Sequence, residues 1–416
     1  MCGRIQQIVL PFVVGGLLWV GQSLEVKGAD WPQWRGPNRD GRIVEPVAAV
    51  GWPKEWQKVW QVEVGEGHSS PVAVGQVVYQ FARQGDDEVL RALSLADGRP
   101  LWSDRYPAPY EMNPAARDHG KGPKSTPVVG QGRIVTLGIS GILTCWDTTT
   151  GKRLWQQEFS GRFARTSPLY GTSMSPIVDG DCVIAHVGGH DQGALTAFDL
   201  NTGKILWQWD EDGPAYTSPI IAELAGVRQL ITQSQQFCIG VDPKTGKLLW
   251  KIPFTTQYDM NIVTPVVWRD LILFSGYRRG TTAYRLENSP EGLKPNRVWH
   301  ADRVSMFMSS PVLSGELLVG FAQEARGQYV SLDPETGKVL WASDGRQGEN
   351  AALLVGGNHI FSLVTTGEFS VFELKENRLV PQARWKVAES PTWAHPVLCA
   401  EGLLVKDRQL LTLWKP

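Results

Sequence analysis

Val241-Asp-Pro-Lys-Thr-Gly-Lys-Leu-Leu-Trp250 is one of five closely similar stretches in this 416-residue chain. The other four end at a tryptophan in the same position and span residues 93–102, 146–155, 198–207 and 332–341. The aspartate can accept a hydrogen bond from the backbone two residues on, and the glycine supplies a positive φ. Each stretch therefore predicts a tight turn between two β-strands, with the tryptophan on the second strand.

A second mark lies upstream of the turns, where Ser or Thr precedes Pro at the start of a β-rich run. The marks are Ser70-Pro71, Thr126-Pro127, Ser175-Pro176, Ser218-Pro219, Thr264-Pro265, Ser310-Pro311 and the weaker His395-Pro396, with Ala351-Ala352 in the remaining slot. Consecutive marks lie 41–56 residues apart, with a mean near 46. Four short strands fit in each interval, and four antiparallel strands at this period are typical of a propeller blade.

Eight marks predict an all-β fold, an eight-bladed β-propeller of four-stranded antiparallel blades over residues 57–416. Seven blades is the alternative, if the degenerate unit at Ala351 is not a full blade. The last blade ends after a third strand at Leu410–Trp414, whereas Lys58–Val64 is a strand that belongs to no repeat. We expect the two to pair, because this closes the ring and leaves no open edge.

One tryptophan per repeat is predicted to be structural. Each buries on the order of 200 Å², and all occupy the same position on the outer strand, so they form a packed outer ring and not a ligand cage. They are Trp60, Trp102, Trp155, Trp207, Trp250, Trp299, Trp341 and Trp385.

Residues 1–29 are predicted to be a signal peptide, cleaved somewhere between 23 and 29. The apolar run Ile8–Val20 follows a basic start and is too short and too rich in glycine for a good membrane span. An uncleaved anchor is the alternative. Cys2 precedes the run and no cysteine follows it at a lipoprotein position, so we expect a periplasmic or secreted protein that is not a lipoprotein, with no transmembrane span in the mature chain.

Residues 30–56 are predicted to be an N-terminal capping arm. Its Trp31 and Trp34 are expected to pack against the side of the propeller, because exposed tryptophan pairs are costly unless they are covered. An arm that binds a partner is the alternative.

Charge and cysteine usage exclude several function classes. The chain has 41 basic and 42 acidic residues, and a nucleic-acid binder would carry a basic excess. The cysteines are far apart, with no C-x-x-C, which excludes a zinc ribbon or a redox motif. His186 and His190 lack a third ligand, so no metal site is predicted. The Ser-Pro marks recur as repeat elements, so no catalytic triad is predicted from them.

The Asp-x-x-Thr-Gly-Lys-x-Leu-Trp units, spread over about residues 57–416, resemble the tryptophan-docking repeats of the PQQ-like β-propeller family. Within that family, the chain resembles a BamB-like secreted bacterial member. That family includes quinoprotein alcohol dehydrogenases, which bind pyrroloquinoline quinone and calcium on the propeller axis. It also includes non-enzymatic members such as the BamB lipoprotein of the outer-membrane assembly machinery. This sequence lacks the vicinal cysteines of many quinoproteins, a clear Glu and Asn pair for calcium, and their long insertions.

Candidate binding residues are the polar ones on the connections that share one face of a propeller, those into the innermost strand and those between the second and third strands. They are His68, Arg83, Lys124, His190, Asp191, Tyr216, Asn261, Arg278, Arg279, Glu324, Arg326, Asn350 and Trp393. The insertions Ser103–Ser125 and Gln156–Met174 lie on the same face, and long ordered loops on a rigid scaffold often carry function.

The sequence therefore predicts a non-catalytic binding or scaffold propeller outside the cytoplasm, with no catalytic residue, no cofactor and no metal. Its partner is expected to be another envelope protein or an acidic peptide or glycan, because arginines bind carboxylates in pairs. The alternative that the resemblance implies is a quinoprotein oxidoreductase of the alcohol-dehydrogenase type, which depends on pyrroloquinoline quinone and calcium.

Overall fold

The structure is a computed structural model that describes residues 30–44, 52–163 and 168–416. In this part of the chain, 32 strands form eight sheets, each of four antiparallel strands. The predicted eight-bladed β-propeller is confirmed. The unit at Ala351 forms a full blade, so the seven-bladed alternative is wrong. The predicted signal peptide, residues 1–29, lies outside the described residues.

Blades 1 to 4 follow one another along the chain, each from its innermost to its outer strand. Their strands are Val72–Val74, Val77–Gln84, Asp87–Ser94 and Pro100–Pro107; Val128–Gly130, Arg133–Leu137, Ile142–Asp147 and Arg153–Glu158; Ile177–Asp179, Cys182–Val187, Ala194–Asp199 and Ile205–Trp209; Ile220–Leu224, Val227–Gln233, Phe237–Val241 and Leu248–Pro253.

Blades 5 to 7 repeat this order, and blade 8 takes its outer strand from the N-terminal side. Their strands are Val266–Trp268, Leu271–Ser275, Thr281–Ser289 and Gly292–Ala301; Val312–Ser314, Leu317–Ala322, Gln328–Leu332 and Val339–Ala342; Ala351–Gly356, His359–Val364, Glu368–Lys375 and Arg378–Lys386; Val397–Cys399, Gly402–Lys406, Leu410–Lys415 and Gln57–Glu63. Short 3₁₀ turns occupy Pro114–His119, Ser160–Phe163, Gln257–Asp259 and Glu324–Arg326.

The ring closes as the unpaired strand predicts. Gln57–Glu63 pairs antiparallel with Leu410–Lys415, and Val62 lies opposite Leu411. The N–H of Val64 extends this ladder to the carbonyl of Gln409 at 2.9 Å. Closure therefore joins the two ends of the propeller within one blade.

The Ser/Thr-Pro marks form a belt of hydrogen bonds around the axis. The hydroxyl of Ser175 accepts from the N–H of Thr126 in the preceding blade at 2.9 Å, and Ser218 accepts from the N–H of Ser175 at 3.0 Å. Ser70 accepts from His395 at 2.8 Å, across the junction of blades 8 and 1. The hydroxyl is therefore used to join neighbouring blades.

The repeated tryptophans connect blades at the outer edge. The indole N–H of Trp207 donates to the carbonyl of Pro243 in the turn of the next blade at 3.0 Å, and a Cβ at Gly246 of that turn would overlap the Trp207 ring. Trp155 lies on Gly203 in the same way. The turn glycine therefore serves two purposes, a φ of +70° to +72° at these positions and a flat surface for the neighbouring indole.

Three tryptophans of the outer ring depart from this arrangement. The blades that follow those of Trp250 and Trp341 have hairpins without the Asp-x-x-Thr-Gly turn. Trp250 instead donates to the side chain of Gln229 in its own blade. Trp385 faces the chain junction, and its indole donates to the carbonyl of Pro53 at 3.2 Å. The interlocking contact thus requires the glycine turn in the following blade.

The N-terminal segment 30–44 occupies the propeller axis and not the outer side where we expected it. Trp31 forms a β-bridge with Ala73 on the innermost strand of blade 1, and the backbone of Ile43 donates to Val355 of blade 7 at 2.8 Å. The axis is lined by backbone groups of the innermost strands, and these groups give the segment its hydrogen-bond partners.

Two buried arginines hold this segment in place. The Arg39 guanidinium donates to the carbonyls of Ser175 and Pro176 at 2.9 and 2.8 Å, and Arg35 donates to the carbonyl of Pro311. Burial lowers the pKa of Arg39 to about 9 and that of Arg35 to about 10. Both arginines contact the residues of the Ser-Pro marks, so the arm joins opposite sides of the ring.

Candidate functional site

A cavity of about 280 Å³ lies on the axis, on the face formed by the connections into the innermost strands. Trp34 of the arm lines it, and its indole N–H donates to the Thr264 hydroxyl at 2.9 Å. The Trp34 ring also contacts the His395 imidazole, with ring centroids 4.5 Å apart. The arm thus supplies part of the cavity wall.

Five of the predicted binding residues meet in this axial cavity, from blades 1, 2, 4, 7 and 8. They are His68, Lys124, Tyr216, Asn350 and Trp393. Asn350 is already engaged, since its side-chain oxygen accepts from the Ser309 hydroxyl. Each of these five residues lies before an innermost strand, and the structure brings them together on the axis.

Aromatic rings run in contact along one side of the cavity. The centroids of Trp393 and His119 are 5.2 Å apart, those of His119 and Tyr170 are 5.2 Å apart, and those of Tyr170 and Tyr216 are 5.9 Å apart. His119 and Tyr170 belong to the two long insertions. Such a wall favours a ligand with a flat apolar face.

Lys124 is the positive charge in the wall of this cavity. Its ammonium nitrogen is buried and has no hydrogen-bond partner within the described residues. Burial lowers its pKa to about 8, and the Glu88 carboxylate partly offsets this shift. At neutral pH the ammonium is therefore mainly protonated and lacks a counter-ion in contact.

The two histidines beside Lys124 are neutral at pH 7. Burial, and to a lesser extent Lys124, lowers the pKa of His68 to about 3 and also lowers that of His119. A ring nitrogen of His68 lies 3.0 Å from the His119 carbonyl. These imidazoles add polarity to the wall without adding charge.

Several predicted residues are structural instead. Asn261 is buried and donates to the carbonyls of Ser234, Gln235 and Phe254, so it braces a loop outside the cavity. Arg83 is buried and donates to the carbonyl of Ala108 at 3.0 Å. The side chains of Asn261 and Arg83 therefore serve as hydrogen-bond partners for backbone carbonyl groups in the loops.

Other predicted residues lie on connections away from the axis. Both oxygens of Glu324 accept from the backbone N–H of Ser305 at 3.1 Å. His190 lies 4.0 Å from Asp259, and Asp191 beside it is exposed. None of the three lines the axial cavity. Contrary to expectation, the polar residues of this face do not form a single site.

Two of the predicted binding residues, Arg278 and Arg326, line a second depression. It lies beside the axial cavity, between blades 5 and 6. Tyr277 and Phe307 lie in it with ring centroids 4.7 Å apart. Arg278 lies over the Tyr277 ring at 5.1 Å. Arg279, next to this depression, lies over the Phe254 ring at 5.5 Å. We call Tyr277, Arg278, Phe307 and Arg326 the arginine cleft.

The cavity does not fit pyrroloquinoline quinone with calcium. Glu349 is the one carboxylate among its lining residues, whereas calcium takes six to eight oxygen ligands. Among the described residues, no three His, Cys, Asp or Glu side chains come close enough to hold a metal. Cys145, Cys182, Cys238 and Cys399 are free thiols, none adjacent in sequence to another.

Several residues of the axial cavity were not among the predicted binding residues. They include Trp34, His119, Tyr170, Met260, Phe307 and Met308. His119 and Tyr170 lie in the two insertions that we singled out as functional, so spacing was the available signal for them. Met260, Phe307 and Met308 are apolar residues on the connections, where a search for polar residues would pass over them.

Fold and site define an eight-bladed PQQ-like propeller whose axial cavity lacks a quinoprotein cation site. Residues 85–343 match the family described as "Outer membrane protein assembly factor BamB", and this chain belongs to that family. BamB of Burkholderia pseudomallei is 31% identical over 367 residues, covering 78% of this chain and 90% of the relative. Membership supports the predicted scaffold function over the quinoprotein alternative.

Two further relatives match smaller parts of this chain. BamB of Yersinia pestis is 28% identical and matches over about half of each chain, 52% of this one and 51% of the relative. The quinohemoprotein alcohol dehydrogenase ADH-IIG of Pseudomonas putida is 27% identical, but the match covers 34% of this chain and 19% of the enzyme. Sequence similarity to this dehydrogenase is thus limited to about a third of this chain.

Solved structures share the fold at low sequence identity. BamB of Moraxella catarrhalis has a TM-score of 0.63 at 14% identity, with 87% of this chain and 98% of that chain covered. Quinohemoprotein alcohol dehydrogenase of Comamonas testosteroni has a TM-score of 0.66 at 14% identity, covering 92% and 80%. These likenesses establish the propeller alone.

No helix among the described residues has the length and apolar character needed to cross a membrane.

Proposed function

We propose that this protein is a non-catalytic scaffold of the cell envelope, of the assembly-factor class, and that it docks an acidic segment of another envelope protein in the arginine cleft. The observation that carries the docking site is a group of exposed, unpaired arginines on one face. Its relatives bear the name outer membrane protein assembly factor, which supports a partner in the same compartment.

Five arginines lie on the connections of blades 5 to 7, and two of them, Arg278 and Arg326, line the cleft. The five are Arg278, Arg279, Arg303, Arg326 and Arg346. All are exposed, and within the described residues no carboxylate lies within 4.0 Å of any of them. Charged side chains on a protein surface usually sit among opposite charges, so five free guanidinium groups favour an acidic ligand.

Three of these arginines have an unusual backbone conformation. Arg278, Arg326 and Arg346 have φ values of +54°, +64° and +63°, a region that residues other than glycine seldom occupy. The backbone of Arg346 donates to the Ala325 carbonyl at 2.9 Å, which ties two of the connections together.

The acidic residues of this face leave the arginines available. Both oxygens of Glu324 are used by the Ser305 N–H. Asp302, Asp344 and Glu349 are exposed on the same connections and lie beyond 4.0 Å from the arginines. Glu349 lines the cleft on the side that it shares with the axial cavity, so an acidic ligand would lie toward Arg278 and Arg326, where Tyr277 and Phe307 offer an apolar surface for its side chains.

Replacing Arg278 and Arg326 by glutamate should abolish binding of acidic peptides. The probe is a set of fluorescein-labelled peptides rich in Asp and Glu with one aromatic residue, measured by anisotropy at low and high salt. Wild-type protein should bind them, and the double variant should bind at least about tenfold more weakly. Affinity should fall with rising salt because the contacts are exposed.

Arg378→Glu is the matched control, since Arg378 is an exposed arginine at the opposite end of blade 7. It makes the same charge change as either single cleft variant, Arg278→Glu or Arg326→Glu, and should leave peptide affinity unaltered while each of those lowers it. Equal loss in this variant would indicate a general charge effect, and equal binding of lysine-rich peptides would contradict the acidic-segment proposal.

We propose further that the protein binds neither pyrroloquinoline quinone nor calcium tightly, because the axial cavity offers one lining carboxylate. Titration of the quinone with calcium present, followed by its absorbance and by tryptophan fluorescence, should show no saturation at micromolar levels. Saturable one-to-one binding that requires calcium would reject the scaffold function in favour of the oxidoreductase.

Location outside the cytoplasm is part of the same proposal. Assembly factors of the outer membrane act in the envelope, and the predicted signal peptide would deliver the chain there. The expectation that the protein is not a lipoprotein stays a prediction, because residues 1–29 lie outside the described part of the chain.

A further inference from the structure

The axial cavity combines three properties of a small-molecule site. It has a defined volume of about 280 Å³ and a wall of contacting aromatic rings, and Lys124 lies in its lining. Cavities that bind drug-sized ligands begin at roughly 300 Å³, so this one suits a smaller molecule. The axial cavity shares Phe307 and Glu349 with the arginine cleft, but Lys124 and the aromatic wall line the axial cavity and not the cleft, so a function for them does not depend on the proposed docking site.

The unpaired ammonium of Lys124 is the observation that requires a ligand. Buried charges in proteins are normally paired, since leaving one without a partner costs several kcal/mol. The nearby Lys406 shows the usual solution, because its ammonium donates to the carbonyls of Gly67, Asp407 and Arg408. Lys124 has no such acceptor among the described residues.

The surroundings of Lys124 favour an anion that enters from outside. Burial and the positive charge of Lys124 lower the pKa values of His68 and His119, so neither imidazole competes as a second cation. Glu88 is occupied, since it accepts from the Tyr106 hydroxyl at 2.8 Å and from the backbone N–H of Ile139 at 2.7 Å. Glu349, the one carboxylate in the lining, is exposed to solvent, so the buried part of the cavity holds one positive charge without a partner, which matches one negative charge on a ligand.

We propose that the axial cavity binds a small aromatic molecule that carries a single carboxylate, with the carboxylate paired to Lys124. The ring of the ligand packs against the aromatic wall of Trp393, His119 and Tyr170. Met260 and Met308 complete the lining with flexible, polarisable side chains. A ligand with several carboxylates has no further cation in the lining to pair with.

Binding of benzoate, indole-3-carboxylate and their neutral amides to the full mature chain tests this proposal. Quenching of tryptophan fluorescence reports occupancy, because Trp34 and Trp393 line the cavity. The carboxylates should bind saturably, and at least about tenfold more tightly than the amides, since a charged hydrogen bond is lost in the amide.

Lys124→Met removes the charge with little change in volume, and it should reduce carboxylate affinity at least about tenfold while leaving amide affinity unaltered. The folded variant should be at least as stable as wild type, because an unpaired buried charge is removed. Circular dichroism and chemical denaturation check that it folds.

Lys121→Met is the matched control, an exposed lysine on the same connection. It should bind all probes as wild type does. Equal affinity of Lys124→Met for carboxylates, equal affinity of wild type for acids and amides, or no saturable binding of either acid at millimolar levels would each overturn the proposal. Arginine-cleft variants should retain carboxylate binding, which separates this site from the docking site.

Discussion

Replacing Trp207 by alanine is expected to lower the free energy of unfolding by about 3–5 kcal/mol, the range for large buried aromatic side chains. Trp207 is 9% exposed. Its ring covers Gly246 of the next blade, and its N–H donates to Pro243 at 3.0 Å. The substitution therefore removes apolar contact within blade 3 and the contact that joins blade 3 to blade 4. Chemical denaturation followed by fluorescence measures the loss.

Two further variants separate the contributions at this position. Trp207→Phe keeps a ring on Gly246 but loses the indole donor, and should cost about 1–2 kcal/mol. Leu206→Ala changes the adjacent residue, whose side chain is 56% exposed, and should stay within about 0.5 kcal/mol of wild type. A loss below about 1 kcal/mol in Trp207→Ala would mean that the contact between blades is unimportant.

The blade architecture could be predicted from the repeat because the interactions that form each turn lie within a few residues of one another in sequence. A turn of Asp-x-x-Thr-Gly type encodes its own geometry, as at Asp199, whose carboxylate accepts from the backbone N–H of Thr202 at 2.8 Å. Eight spaced marks then determine the number of blades. The second purpose of Gly203 and Gly246, to make room for an indole of the preceding blade, becomes visible only when the blades are assembled.

The placement of the N-terminal arm could not be predicted in this way. Arg35 and Arg39 bind backbone carbonyls of Pro311, Ser175 and Pro176, and a carbonyl leaves no trace in the side-chain sequence. The segment also occurs once, so no period reveals its partner. Its Trp31 and Trp34 did indicate burial, and the structure supplies the location.

The site residues were predicted where topology alone brings them together. Connections into innermost strands must converge on the axis, which places Lys124, Tyr216 and Trp393 in one cavity. Whether a polar side chain on such a connection faces the cavity or satisfies the backbone depends on packing. Asn261 illustrates the second outcome, with three carbonyl partners. Sequence therefore identifies the face of the site more readily than its members.

Val62→Pro is expected to destabilise the closing strand by about 1–3 kcal/mol, because proline removes a ladder hydrogen bond and leaves its acceptor without a partner. The N–H of Val64 donates to the carbonyl of Gln409, the residue before the strand Leu410–Lys415, and alternation places the N–H of Val62 on the same side. Loss of this pairing loosens Trp60, which lies on Gly98 of blade 1 and donates to the Leu95 carbonyl at 2.9 Å.

Glu63→Pro is the matched control for closure, because alternation turns the N–H of Glu63 toward solvent on the edge of blade 8. Proline is tolerated on an edge strand when its missing N–H faces solvent, so this variant should lose about 1 kcal/mol or less. Chemical denaturation of both variants measures the difference. Equal stability of the two would mean that the ladder between Gln57–Glu63 and Leu410–Lys415 contributes little. A large difference in stability between the two variants would mean that the hydrogen bonds of this ladder hold the two ends of the ring together.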